Sequence, residues 1–151
     1  MFSSATAAAM RTLASLSKTN DKEAIKAILR NNSKFGIDTM YSLYQKDEIL
    51  FDIMSNESAE YALLAIGALG VNVPKDPSVV VERLEAKLYD ANPKIRLALI
   101  RAIVKIADRG DTDIKTKNDI LSILNKSKSI EKNQEVISEI ENSIKIMESR
   151  P

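Results

Sequence analysis

The sequence predicts an all-α chain, about nine short helices stacked as antiparallel pairs in one domain over residues 1–151. Three observations carry that expectation. Apolar residues recur at helical spacing almost everywhere, with no sustained period-2 alternation that would signal a strand. Helix starts are written out locally by Asp-Pro and Asn-Pro pairs. One stretch of the chain also repeats another at a fixed offset.

The elements follow in order. Residues 1–18 are rich in Ser, Thr and Ala and precede the first acid, Asp21, which is loosely the composition of an organellar transit peptide. Phe2, Ala9, Leu13 and Leu16 nevertheless share one helical face, so an amphipathic N-terminal capping helix is expected there. Asn20 with Glu23 forms a capping box ahead of Ala24, Ile25, Ile28 and Leu29, and Asn31-Asn32-Ser33 ends that helix. The next carries Ile37, Met40, Tyr41 and Tyr44, and the one after it starts near Asp47, buries Leu50, Ile53 and Met54, and breaks at Ser55-Asn56. A helix from Glu57 to about Leu69 is closed by Gly70, whose freedom at positive φ suits the position after a helix end.

Asp76-Pro77 then opens a helix with Val80, Val81, Leu84 and Leu88 inward, because a proline at the first helical position gives up an N–H that has no helical partner. Asn92-Pro93 repeats the device before Ile95, Leu99, Ala102, Ile103 and Ile106, in a helix expected to run to Gly110. Asp113 caps a helix facing inward with Ile114, Leu121 and Leu124. The last, over residues 131–149, buries Val136, Ile137, Ile140, Ile144 and Met147 and turns Ser138, Glu141, Asn142, Lys145 and Glu148 outward, as a C-terminal capping helix would.

Composition narrows function mainly by exclusion. The chain has no Cys and no His, which removes disulfides, thiolate nucleophiles, His-bearing zinc sites and the Ser-His-Asp and Cys-His machineries. A formal net charge of +1 gives no polyelectrolyte field, so binding to nucleic acid would need a local patch. No apolar run approaches the ~18 residues of a spanning helix, so no membrane partner is expected; no cofactor is expected either, and the cytoplasm is the expected location, with organellar import the alternative.

The repeat turns this series of helices into an architecture. Asp90 to Ile103 superposes on Asn56 to Leu69, 34 positions earlier, polar turn on polar turn, with Ile95, Leu99 and Ile103 falling on Tyr61, Ala65 and Leu69. A looser copy begins at Glu131, 41 positions after Asp90, where Val136, Ile140 and Ile144 take the same places. Asp90 through Ile106 resembles the second helix of a HEAT repeat: an acidic residue, a short turn with Pro93, Ile95 followed by Arg96, then spaced aliphatic and small residues. Leu99 stands where that family usually has Ala, and Ala62 replaces the Arg in the earlier copy. The resemblance implies a right-handed α–α superhelix whose second helices line a concave binding surface.

On that surface Lys94, Arg101 and Lys105 would form a basic row, with Leu97 beside it and Arg109 within reach. It suits an acidic protein partner or a phosphate backbone; a solvated helix face is the plain alternative, since Glu60 and Asp108 lie nearby and no aromatic residues interleave for base stacking. Asp108, Asp111 and Asp113 around Gly110 fail as an EF-hand because Lys115 and Ser122 occupy ligand positions, so no metal site is expected. Ser15-x-x-Lys18 and Ser129-x-x-Lys132 lack the companion motifs of a serine acyl-transfer site, and Gly67 and Gly70 do not make a phosphate loop. Tyr41, Tyr44, Tyr61 and Phe51 read as packing residues. The expected function is therefore a non-catalytic scaffold for a protein partner, with a nucleic-acid binder the second reading. An enzyme resembling the helical-repeat glycosylases or chromophore lyases stands third, for want of Trp and His.

Overall fold

The computed structural model describes residues 22–30, 47–71 and 76–149. All regular structure among them is helical: α1 Lys22–Arg30, α2 Asp47–Asn56, α3 Ala59–Val71, α4 Pro77–Ala86, α5 Pro93–Ala107, α6 Ile114–Ile130 and α7 Gln134–Ser149. These are seven of the nine expected helices; the other two, with the Asn20 cap and the Asn31-Asn32-Ser33 turn, lie outside the described residues. The chain, expected to form one domain, gathers into two compact units, residues 1–75 and 76–151.

In the first unit α3 packs against both α2 and α1. Ile25, Ile28 and Leu29 of α1, Leu50, Phe51, Ile53 and Met54 of α2, and Ala62, Ala65, Ile66 and Leu69 of α3 are buried. Alanine at two of these α3 positions keeps the side-chain layer thin where helices meet, and the large residues of α1 and α2 fill the space. The polar edge of α1 is pinned by charge. Lys22 lies 3.1 Å from Asp52, Lys26 lies 2.6 Å from Glu57, and both Lys26 and Arg30 sit over the Tyr61 ring, at 4.6 and 5.3 Å from its centroid. Arg30 also donates to the Tyr61 hydroxyl. The Lys26 ammonium, by hydrogen bonding, holds the Glu57 carboxyl below its ordinary range. Gly70 does not end α3: the helix continues to Val71 with Gly70 buried in its last turn, where packing outweighs the residue's poor helix propensity.

The second unit has α5 in contact with α4, α6 and α7, while α6 also touches α4 and α7. Its helix starts follow the local chemistry. The Asp76 carboxylate accepts from the Ser78 N–H at 3.2 Å, Asn92 Oδ1 from Lys94 N–H at 2.9 Å, and Asp113 from Thr116 N–H at 2.7 Å, each satisfying an N–H the helix leaves over. Asn133 does the same before α7, accepting from Glu135 and Val136 at 3.0 and 3.2 Å. The positions matched by the repeat are core positions: Ala65, Leu69, Ile95, Leu99, Ile103, Val136, Ile140 and Ile144 are all buried, and only Tyr61 is half-buried. Fully burying a residue such as Leu99 contributes about 1.5–3 kcal/mol.

Several details of the second unit differ from the expectation. Helix α5 stops at Ala107 rather than Gly110, because Asp108 is its C-cap and Thr112, buried in the following loop, donates its hydroxyl back to the Ile106 carbonyl at 2.6 Å. The inner face of α6 is Thr116, Ile120, Ile123 and Leu124; Ile114, read as inward, is 73% exposed, and Leu121 is half-buried. Along α7 the outward set Ser138, Glu141, Asn142, Lys145 and Glu148 is exposed as its spacing predicts, while Ile137 and Met147 are half-buried.

Candidate functional site

Two surfaces of the second unit carry organised chemistry. The first is the exposed face of α5. Lys94, Arg101 and Lys105 follow one another by seven and four residues, which keeps them on one stripe, and all three are exposed. Arg101 is not free: its Nε donates to Glu139 Oε1 of α7 at 2.9 Å, joining the two helices that lie side by side. Lys94 and Lys105 have no ion-pair partner among the described residues. Leu97, at the edge of the row, is only 9% exposed, so it supports the row from beneath and presents little surface. Arg109 lies beyond the helix end, where Asp111 accepts from its Nη2 at 2.9 Å and its Nε at 3.2 Å. Spacing thus places Lys94, Arg101 and Lys105 together, and leaves Leu97 and Arg109 out of the exposed row.

The second surface was not anticipated from the sequence. A cleft of about 300 Å³ opens where the C-terminal ends of α4 and α6 meet the turns that follow them. Its buried part is apolar, with Ile100, Ile123 and Ile140, and its exposed part carries Tyr89 and Ile130, 65% and 55% exposed. Arg96 and Glu131 also line it. They form a two-pronged pair, Nε to Oε2 at 2.9 Å and Nη2 to Oε1 at 2.8 Å, and Arg96 Nη1 donates to the Asp90 and Ala91 carbonyls at 2.8 and 3.1 Å.

Asp90 and Glu131, the two acids matched by the repeat, make the same local turn. Asp90 accepts from the Asn92 N–H at 2.8 Å, and Glu131 accepts from the Asn133 N–H at 3.0 Å. The hydrogen bonds from Arg96 hold the Glu131 carboxyl below its usual range, and the Asn92 N–H does so for Asp90. Arg96 is in turn raised, chiefly by its hydrogen bonds to Glu131. Both groups are therefore locked in their charged forms near neutral pH, which suits a structural rung and not proton exchange with a substrate.

Of the three aspartates around Gly110, Asp108 is the C-cap residue of α5, Asp111 pairs with Arg109 and Asp113 caps α6. No group of residues suited to hold a metal ion occurs among the described residues, and no helix there is long and apolar enough to cross a membrane. Of the tyrosines and phenylalanine read as packing residues, Phe51 is buried and Tyr61 half-buried, and Tyr41 and Tyr44 lie outside the described residues. No protein-family model matches the chain, and no curated protein or solved structure does so either.

Proposed function

We propose that the chain is a non-catalytic helical-repeat scaffold of the HEAT-like kind, with α4–α5 and α6–α7 as successive repeats, and that it binds a protein partner through the face of the second helices α5 and α7. The observation that carries the reading is the contact pattern: first helix on first helix (α4 on α6), second on second (α5 on α7), and α5 on α6 between them. The Arg96–Glu131 pair supports it, since an arginine of one pair grips the matched acid of the next. A protein is favoured over nucleic acid by the Arg101–Glu139 bond, which neutralises the middle of the basic row, and by exposed Glu135 on the same helix as Glu139. Catalysis is disfavoured by the lack of His and Cys and by the mutual neutralisation of Arg96 and Glu131.

The test uses Lys94→Glu with Lys105→Glu, two exposed positions whose change leaves the Arg101–Glu139 bond in place. Crosslinking capture from an extract of the source cells with wild-type protein is expected to yield a partner that the double variant loses at unchanged melting temperature. Retention of the partner would reject the α5–α7 face. A fluorescent DNA duplex titrated in parallel is expected to bind negligibly at physiological salt; binding whose log–log salt slope reaches about −0.9 per neutralised phosphate would favour the nucleic-acid reading.

A further inference from the structure

We propose that the cleft at the ends of α4 and α6 is a docking pocket for an apolar side chain of a partner peptide that carries a carboxylate on the adjoining residue. The inference rests on the scaffold reading but names a second surface, on the turn edge of the repeats and distinct from the α5–α7 face. Apolar matter is suggested by the walls. Buried Ile100, Ile123 and Ile140 stand behind an opening flanked by Tyr89 and Ile130, two of the large apolar residues this protein leaves in water. The volume, about 300 Å³, takes one large side chain with room to spare and lies at the lower bound of pockets that bind separate small molecules. Exposed aromatic and aliphatic groups converging on one concavity are the usual mark of an interaction site.

Charge decides the neighbouring residue. Within the cleft Arg96 and Glu131 neutralise each other, and Asp90 is met by Lys87 at 3.1 Å. Among the described residues, the charged side chains of the cleft left without a partner are Lys126 and Lys132, on the α6 side, and Glu85, on the α4 side. Lys126 is one helical turn before Ile130, and Lys132 follows two residues after it, so both ammonium groups flank the same apolar rim residue. A carboxylate next to the inserted side chain would meet two cations on the α6 side, whereas a lysine could meet only Glu85, on the opposite, α4 side. Lysines at the end of a helix also offset its carbonyl dipole, and the experiment must separate that role from ligand contact.

The probe is acetyl-Gly-Phe-Glu-Gly-amide, titrated into the full chain labelled with nitrogen-15 and followed by amide chemical shifts. Weak, millimolar-range binding is expected, with shifts concentrated at Tyr89, Ile130 and Lys132. Replacing Glu of the probe by Lys is expected to weaken binding about fivefold, the effect of two exposed ion pairs at typical strength. Replacing Phe by Gly is expected to abolish it, as is Ile130→Asp in the protein, an exposed position that the fold does not need. Lys126→Gln with Lys132→Gln is expected to remove the preference for the acidic probe. Equal binding of the Lys probe, equal binding of the Gly probe, shifts centred on Lys94 and Lys105, or no shifts at all would each overturn the proposal. So would a Lys126→Gln and Lys132→Gln variant that loses stability yet keeps the acidic preference. Apart from shifts at Lys94 and Lys105, none of these results bears on the α5–α7 face, which the capture experiment judges separately.

Discussion

Replacing Arg96 by Met keeps most of the side-chain volume and strips Glu131 of its two-pronged partner. Glu131 is 7% exposed at its side chain and would keep only the backbone donors of Lys132 and Asn133, at 3.1 and 3.0 Å. Removing one partner of a fully buried pair costs about 3–5 kcal/mol. Arg96 retains some water contact, so we expect about 2–3 kcal/mol here after screening. Glu131→Gln leaves Arg96 its bonds to the Asp90 and Ala91 carbonyls and should cost less, about 1–1.5 kcal/mol. The double variant should cost about 2 kcal/mol, less than the two single changes together, leaving a coupling near 1.5 kcal/mol. Urea unfolding at neutral pH measures this, and the Arg96→Met midpoint should fall by roughly 2 M for a unit of this size. Tyr89 is the sole tyrosine of residues 76–151, so fluorine NMR of fluorotyrosine-labelled protein assigns the transition to the second unit. A coupling below about 0.5 kcal/mol would refute the claim that this pair ties the α4–α5 pair to the α6–α7 pair.

Two further outcomes are expected. Gly67 is exposed inside α3 with nothing near its absent Cβ, so Gly67→Ala should stabilise the first unit by about 0.5–1 kcal/mol through helix propensity, and a loss of stability on chemical unfolding would show a contact not accounted for. Asp90 and Glu131 have carboxyls held below their unfolded values of about 3.9 and 4.3, so they bind protons more weakly in the folded chain. Their stabilisation is complete above the unfolded values and fades as pH falls through them toward the lower folded ones. The gap in urea midpoint between wild type and Arg96→Met should therefore narrow between about pH 6 and pH 3, and a constant gap would contradict the assignment.

What could be read from sequence was what depends on nearest neighbours. Asp76-Pro77, Asn92-Pro93 and Asp113 act within three residues, and each makes the hydrogen bond its position implies. The repeat likewise identified buried positions, because a helix is apolar on the face where it packs against its neighbours. Register at helix ends was not legible. Ile114 shares the apolar character of Ile120 and Leu124, but it is the first residue of α6, past the point where a neighbour covers it. Gly70 obeyed its packing over its propensity. Arg96 and Glu131 were each visible as repeat positions, yet their bond joins residues 35 apart and only the folded chain brings them together. The cleft was hidden for the same reason: Tyr89, Ile100, Ile130 and Ile140 come from separate segments, and exposed Tyr89 and Ile130 look like ordinary helix-end residues until they are seen around one opening.

The paired turns at Asp90–Asn92 and Glu131–Asn133 have a consequence for how such a chain can change in length. Each acid is tied to an N–H two residues on, and each is met by the same arginine side, Asp90 through its carbonyl and Glu131 through its carboxylate. One extra residue in either turn would carry the acid away from Arg96 and rotate the following helix out of phase. Gly110 and Asp111 in the next connection are exposed, although Thr112 just after them is anchored to the Ile106 carbonyl, so an inserted residue between Gly110 and Asp111 is expected to cost less than one in either acid-bearing turn.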